Sequence, residues 1–111
     1  MNLRFQRVKS YIGFAWTMKI FIDDELVYRL KNGEVFEIEV EDFNTIKVDT
    51  SRFIADVKIP NDGLKTNVDI LLRYQTKFCL TKTQAIVSEQ GKLIGVYPKE
   101  EKWLWRFWDD Y

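Results

Sequence analysis

Apolar and polar residues alternate along most of the chain between Trp16 and Thr50. An alternation with a period of two is typical of β-strands that bury one face and expose the other. The apolar members of the successive runs are Met18, Ile20, Ile22, Leu26, Tyr28, Leu30, Phe36, Ile38, Val40, Ile46 and Val48. Because short polar loops separate these runs, the first half of the chain predicts a meander of consecutive antiparallel strands.

The loops of this meander determine which residues face each other across neighbouring strands. Since a slip of one residue would turn a strand's apolar side chains outward, we choose the loops that keep these side chains together. A loop of residues 31–33, with Gly33 in the left-handed conformation, places Tyr28 opposite Phe36. The same reasoning predicts further pairs: Leu26 opposite Ile38, Ile22 opposite Leu26 across residues 23–25, and Val40 opposite Ile46 across residues 42–44.

The alternation returns in the second half of the chain. Predicted strands cover residues 53–59, 68–74, 78–81, 84–88 and 93–97, and turns are predicted at residues 61–63 and 89–92. Short strands at this spacing are typical of two sheets packed face to face. We therefore predict an all-β fold for residues 1–97, an antiparallel β-sandwich of about seven to nine short strands.

The remaining segment, residues 98–111, has a different pattern. Pro98 and the acidic residues after it are typical of a helix start, because acidic side chains are favourable near the positive end of the helix dipole. In a helix one broad face would contain Trp103, Leu104, Phe107, Trp108 and Tyr111. A strand is also compatible with the sequence, since alternate aromatic residues would then share a face. We predict a short aromatic helix over residues 99–109, with an edge strand as the alternative.

The C-terminal aromatic residues form the candidate interaction surface of the sequence: Trp103, Trp105, Phe107, Trp108 and Tyr111. Tryptophan is enriched at protein-binding hot spots and at membrane interfaces, and it also buries a large area inside a domain. The sequence allows a cap on the domain's own sheets, a contact with a second copy or another protein, or a contact with lipid or carbohydrate. Peripheral membrane contact is disfavoured, since Asp109 and Asp110 stand where a membrane-surface helix carries lysine or arginine.

The composition limits the chemistry that the chain can perform. Its 111 residues suit a single domain, and 17 basic residues balance 17 acidic ones, whereas nucleic-acid-binding proteins usually show a basic excess. Histidine is absent, which removes the commonest general base and zinc ligand. The single cysteine, Cys79, is interpreted as a structural thiol, because its flanking residues offer no base. The sequence therefore predicts no catalytic residue, cofactor, metal or nucleic-acid partner.

Two groups of carboxylates are candidate sites. Asp23, Asp24 and Glu25 form the densest cluster, but they lack the spacing of a calcium loop and suit the tip of a hairpin. The second group is Glu37, Glu39 and Glu41, for which we expect Arg29, Lys47 and Lys58 as neighbours. Acids on a solvated strand face lack the desolvation that raises the pKa of a catalytic carboxyl. We interpret both groups as turn and surface residues.

The N-terminal residues are predicted to form the first strand. Arg4, Arg7 and Lys9 are interleaved with apolar residues there, and we expect the basic side chains to point outward. The apolar run that follows is too short and aromatic for a secretory signal. Nowhere does the sequence approach the roughly eighteen apolar residues of a membrane span. We therefore expect a cytoplasmic protein with no transmembrane segment.

The stretch from Lys19 to Val48 resembles the small β-sandwich modules grouped around the PEGA domain. The residues that carry the resemblance are Ile20 to Asp24, Val27, Leu30, Asn32 to Glu34, and Ile46 to Val48. Asp24 stands where those modules usually have glycine. Such modules are generally non-catalytic, so the resemblance implies an interaction or scaffold role. We expect a non-enzymatic protein-interaction module, the alternative being a module that binds a carbohydrate or a hydrophobic small molecule on its C-terminal aromatic residues.

Overall fold

The computed structural model describes residues 1–10, 16–50, 56–77 and 80–98. Those residues form nine β-strands and no helix. In chain order the strands are β1 (Asn2–Arg7), β2 (Met18–Ile22), β3 (Glu25–Leu30), β4 (Val35–Glu39), β5 (Thr45–Asp49), β6 (Val57–Pro60), β7 (Val68–Lys77), β8 (Leu80–Glu89) and β9 (Lys92–Tyr97). The aromatic helix or strand predicted over residues 99–109 lies outside the described residues.

The strands form two sheets around one interior, so the predicted β-sandwich is confirmed. A five-stranded sheet has the order β4-β1-β7-β8-β9, and a four-stranded sheet has the order β3-β2-β5-β6. The pairing is antiparallel, as predicted, except between β1 and β7, which run parallel, with Leu3 beside Val68 and Arg7 beside Leu72. β1 therefore lies inside its sheet, between an antiparallel neighbour and a parallel one.

The predicted meander is wrong after β3. The chain leaves the four-stranded sheet there, contributes β4 to the opposite sheet, and returns with β5. β5 then pairs with β2, where Ile46 lies opposite Ile22. The hydrophobic pattern does not distinguish these arrangements, because both sheets turn their apolar residues toward the same interior. The predicted pairs of Val40 with Ile46 and of Leu26 with Ile38 are therefore wrong.

Tyr28 and Phe36 meet across the interior and not along a shared sheet. Tyr28 belongs to β3 and Phe36 to β4, so the predicted cross-strand pair is wrong. Their rings nevertheless stack, with centroids 4.1 Å apart and planes inclined by 8°. The connection between the two strands contains Gly33 with a φ of 75°, the left-handed conformation predicted for it. A crossing between sheets thus brings together two side chains that a hairpin would also have paired.

The hairpin between β2 and β3 is tighter than predicted. Asp23 and Asp24 form its turn, and both have positive φ (49° and 67°), as the favoured two-residue hairpin turns require. Ile22 consequently lies opposite Glu25 and not opposite Leu26. A β-bulge farther along the pair restores the inward direction of the remaining apolar residues of β3.

The second half of the chain follows the predicted strands more closely. β7 and β9 lie where the alternation placed them, and the predicted turn at residues 89–92 is present. The strands predicted at residues 78–81 and 84–88 belong to a single strand, β8, in which the buried Thr83 continues the inward face. β6 begins at Val57, and the earlier part of its predicted range lies outside the described residues.

The interior between the sheets is filled by inward residues of both sheets and by loop residues. The buried apolar side chains are Leu3, Phe5, Met18, Ile20, Ile22, Leu30, Phe43, Ile46, Val48, Val57, Ile59, Leu64, Val68, Ile70, Leu72, Tyr74, Ala85, Val87 and Tyr97. Burying one large apolar side chain stabilises a fold by about 1.5–3 kcal/mol. This shared interior fixes which face of each sheet remains in contact with water.

Arg7 closes the interior at one end, which corrects the prediction that its side chain points outward. It lies on the inward face of β1 and is 2% exposed. Its Nη1 donates hydrogen bonds to the carbonyl oxygens of Trp16 (2.6 Å), before β2, and Leu30 (3.0 Å), at the end of β3. The guanidinium also lies over the ring of Tyr74, 5.4 Å from its centroid. Burial lowers the pKa of Arg7, but arginine remains charged in proteins.

Replacing Arg7 with methionine tests this link between the sheets. The Arg7→Met variant leaves two carbonyl oxygens without their donor, so we expect a loss of about 2–4 kcal/mol in the free energy of unfolding. Arg4→Met is the matched control, since it removes an exposed ion pair with Glu37 and should cost less than about 1 kcal/mol. Urea unfolding measures both losses. Equal losses in the two variants would show that Arg7 does not join the sheets.

Candidate interaction surface

Asp23, Asp24 and Glu25 lie at the tip of the hairpin between β2 and β3, as predicted. The Asp23 carboxylate accepts hydrogen bonds from the backbone N–H groups of Asn44 (2.8 Å) and Thr45 (3.0 Å). These bonds join the hairpin to the start of β5, so the carboxylate stabilises the fold. Among the residues that the structure describes, no three side chains of His, Cys, Asp or Glu are grouped so that they could hold a metal ion.

The glutamates Glu37 and Glu39 of β4, and Glu41 after it, are exposed. Glu37 forms an ion pair with Arg4 of β1, which points outward as predicted; the Glu37 Oε1 to Arg4 Nε distance is 3.3 Å. Arg4 Nη1 also lies 3.8 Å from Asp69 Oδ1 on β7. The neighbours predicted from sequence were wrong, because Arg29, Lys47 and Lys58 belong to the other sheet. The acids are surface residues of the five-stranded sheet.

Several predicted candidates lie outside the described residues. They are Cys79 and the aromatic residues Trp103, Trp105, Phe107, Trp108 and Tyr111. Lys9 is exposed, as predicted for the N-terminal basic residues. Within the described ranges, no helix is long and apolar enough to cross a membrane. The described strands nevertheless present surfaces that the sequence did not indicate.

The edge strands of the two sheets differ in how they are protected from pairing with another chain. Edge strands expose unpaired backbone groups, and proteins usually protect them with charges, prolines or short length. β4 carries Glu37 and Glu39, β3 carries Arg29, and β6 has 4 residues and ends at Pro60. β9 carries a single charge, Lys92 at its start. In the described part of the chain, β9 is the edge strand with the least protection.

β9 exposes apolar side chains beside this unprotected edge. Leu93 is 61% exposed, Ile94 36% and Val96 38%. A bulge at Ile94 shifts the register of its pairing with β8. Gly95 leaves room for the inward ring of Tyr97, which a Cβ at this glycine would approach to 3.2 Å. Within the described sheets β9 pairs with β8 alone, so it offers a second strand both backbone hydrogen-bonding groups and apolar side chains.

An apolar row crosses the outer, solvent-facing side of the five-stranded sheet. The register of the strands aligns Val35, Gln6, Leu71, Ile86 and Val96 side by side. Val35 is 43% exposed, while Leu71 and Ile86 are half-buried. We call the four apolar residues, Val35, Leu71, Ile86 and Val96, the outer row. Leu71, Ile86 and Val96 are neighbours in this row, whereas the exposed Gln6 separates Val35 from them.

A cleft of about 500 Å³ lies among the loops at the end of the sandwich opposite Arg7. Asn61 Nδ2 donates hydrogen bonds to Asp42 Oδ1 (2.9 Å) and to the carbonyl oxygen of Phe43 (2.9 Å). Asn61 Oδ1 accepts a hydrogen bond from the backbone N–H of Leu64 (2.9 Å). These bonds join the loop that contains Asp42 and Phe43 to the loop that contains Asn61 and Leu64. The polar groups of the cleft therefore stabilise the fold.

Asp49 and Asp56 face each other on the outer side of the four-stranded sheet. Asp49 ends β5 and Asp56 directly precedes β6, so the register of Val48 with Val57 places the two acids opposite each other. Partial desolvation raises the pKa of Asp56, and the hydrogen bond and negative charge of Asp49 raise it further, although two nearby lysines oppose the shift. Sequence reasoning missed this pair, because the alternation alone does not give the register between β5 and β6.

The geometry of the β9 edge and of the outer row is the basis on which the function of this chain can be inferred. No family model, curated protein or solved structure matches the chain.

We expect Asp56→Asn to stabilise the protein near neutral pH. Because the pKa of Asp56 is raised in the folded state, the folded protein retains that proton to a higher pH than the unfolded chain does. The stabilisation that protonated Asp56 contributes is fully present below the pKa of an aspartate in the unfolded chain, about 3.9. It is lost as the pH rises through the pKa of Asp56 in the folded protein. Asparagine removes this loss, so the melting temperature of the variant should exceed that of the parent near neutral pH and match it in acid.

Asp62→Asn is the matched control, because Asp62 is an exposed loop residue with the same charge. The melting temperature of this variant near neutral pH should stay close to that of the parent. Thermal unfolding across a pH series measures both variants. An Asp56→Asn variant whose stability tracked the parent at every pH would contradict the pairing of Asp56 with Asp49.

Proposed function

We propose that the chain is a non-enzymatic protein-interaction module that associates with a second copy of itself through β9. The observation that carries the proposal is the contrast between β9 and the other edge strands of the described sheets. Those edges carry two charges, or are short and end in proline, whereas β9 has 6 residues and a single charge, Lys92 at its start. Such an edge is a template for strand addition, because backbone hydrogen bonds and apolar contacts form together.

The position of the single charge on β9 is compatible with pairing between the β9 strands of two copies of the chain. In an antiparallel pair of β9 strands related by a twofold axis, the two Lys92 residues lie at opposite ends. Residues from Leu93 to Val96 then face one another, so apolar side chains meet and no like charges are opposed. The same pairing of β4, centred on Glu37, would place two glutamates opposite each other. β9 is therefore better suited than β4 to a symmetric contact.

Composition and resemblance support the other parts of the proposal. The lack of histidine and the balance of basic and acidic residues favour a non-enzymatic role without a nucleic-acid partner. The single cysteine suits a reducing compartment, and we propose a cytoplasmic location. The resemblance of the stretch from Lys19 to Val48 to PEGA-like modules, which are generally non-catalytic, supports the same role.

Sedimentation velocity of the full chain over a range of concentrations tests the association. The sedimentation coefficient should rise with concentration from that of a monomer to that of a dimer. Leu93→Lys should keep the fold and abolish the rise, because the side chain is already 61% exposed and a lysine charge opposes edge pairing. Leu26→Lys is the matched control, since Leu26 is 39% exposed on the β3 edge of the other sheet and should leave the rise unchanged.

A second substitution on the β9 edge, Ile94→Lys, should reproduce the effect of Leu93→Lys. Circular dichroism and urea unfolding establish that each variant folds. The proposal would be contradicted by a parent chain that stays monomeric at every concentration. It would also be contradicted by a dimer that Leu26→Lys disrupts as strongly as Leu93→Lys does.

A further inference from the structure

We infer that the outward face of the four-stranded sheet binds an extended acidic peptide along a stripe of four basic residues. The stripe consists of Arg29 on β3, Lys19 on β2, Lys47 on β5 and Lys58 on β6, so each strand of this sheet contributes one member. We call these four residues the basic stripe. The inference is independent of the proposed association through β9, because β9 belongs to the other sheet.

The register of the strands brings the basic stripe together. Lys19 lies directly opposite Arg29, and Lys47 lies directly opposite Lys58. Lys19 and Lys47 are diagonal neighbours on the paired strands β2 and β5, since Lys19 is aligned with Asp49, two residues after Lys47. All four side chains point outward, because each has a buried residue beside it in its strand and successive side chains alternate between the faces.

Both cross-strand pairs of the basic stripe oppose like charges, which destabilises a sheet. The five-stranded sheet shows the favourable arrangement, in which Arg4 forms ion pairs with Glu37 and Asp69 on its two neighbouring strands. Within the described ranges, no member of the basic stripe forms such an ion pair. Proteins retain arrangements that cost stability chiefly at functional sites, and an anion laid on the stripe would remove this cost.

Acidic residues on either side of the basic stripe limit the shape of its partner. Asp49 and Asp56 lie on one side of the diagonal, and the turn of Asp23 and Asp24 lies on the other. A broad anionic surface, such as a membrane, would meet these acids together with the stripe. A single extended chain can place its own acids on the stripe alone. Charge complementarity therefore favours a narrow partner.

The chemistry of the face favours a peptide over single-stranded nucleic acid. Proteins that bind single strands combine a basic groove with aromatic rings on which the bases stack. Phe21, on this face, is half-buried, and Lys47 covers its ring, with Nζ 4.6 Å from the ring centroid. The chain also lacks a basic excess, since 17 basic residues balance 17 acidic ones. The basic stripe therefore offers charge without a stacking platform.

An acidic peptide also matches the basic stripe in length. From β3 to β6 the stripe crosses three strand spacings of about 4.8 Å, or about 14 Å in all. Side chains at alternate positions of an extended chain share one face and repeat about every 6.6 Å. Three glutamates at alternate positions therefore span about 13 Å and can lie along the whole stripe.

Fluorescence anisotropy with a labelled peptide of alternating glutamate and serine tests the inference on the full chain. We expect saturable binding that weakens as the ionic strength rises. The same peptide with glutamine in place of glutamate should not bind. Arg29→Gln combined with Lys58→Gln should weaken binding by about tenfold, because each lost contact between exposed charges weakens binding by about two- to fivefold.

Lys9→Gln combined with Lys65→Gln is the matched control. It removes the same charge at two exposed lysines outside the strands, so a general electrostatic effect would act on both double variants. The control should leave peptide binding unchanged. Thermal unfolding checks the fold, and the variant of Arg29 and Lys58 should not melt below the parent, since it relieves repulsion between like charges.

Four results would overturn the inference. One is the absence of glutamate-peptide binding at millimolar concentration and low ionic strength. Another is equal weakening by the two double variants, which would show attraction without a site. Equal binding of the glutamine peptide would show that acidic side chains are not recognised. Tighter binding of an oligothymidylate with the same number of charges would identify single-stranded nucleic acid as the partner.

Discussion

Arg7 ties the two sheets together at one end of their shared apolar interior, and the arrangement of the other strands follows from where β1 lies. The carbonyl oxygens of Trp16 and Leu30 accept hydrogen bonds from its side chain, so β1 of one sheet is fixed against β2 and β3 of the other. β1 in turn pairs with β4 on one side and β7 on the other. That order places β4 and β9 at the two edges of the five-stranded sheet, and it aligns the outer row on the outward face of that sheet.

The hydrophobic pattern predicted most of the strands and their inward faces, with Arg7 and Leu26 as exceptions, but it did not identify the strands' partners. Alternation is a property of one strand, whereas the assignment to a sheet depends on contacts between distant residues, such as those of β1 with β7. Tyr28 and Phe36 show this limit, because the pattern brought their side chains together while assigning both to one sheet. The turn at Asp23 and Asp24 depends on local geometry alone, and its place was predicted although its length was not.

The candidate surfaces were missed for related reasons. An arginine on an alternating strand usually points to solvent, and the two carbonyl groups that hold Arg7 come from elsewhere in the sequence. Leu93, Ile94 and Val96 can be predicted to form a strand, but only the strand order shows that this strand is an edge. The outer row likewise requires the register of five strands, and its members are scattered along the chain.

Hydrogen exchange at β9 tests the central claim, association through this edge, most directly. In an edge strand, some backbone amides bond to the neighbouring strand and the others point away from the sheet. Pairing with a second copy predicts that exchange in a peptide covering residues 92–97 slows as the protein concentration rises, while a peptide covering β3 keeps its rate. Exchange in residues 92–97 that is independent of concentration would contradict the account.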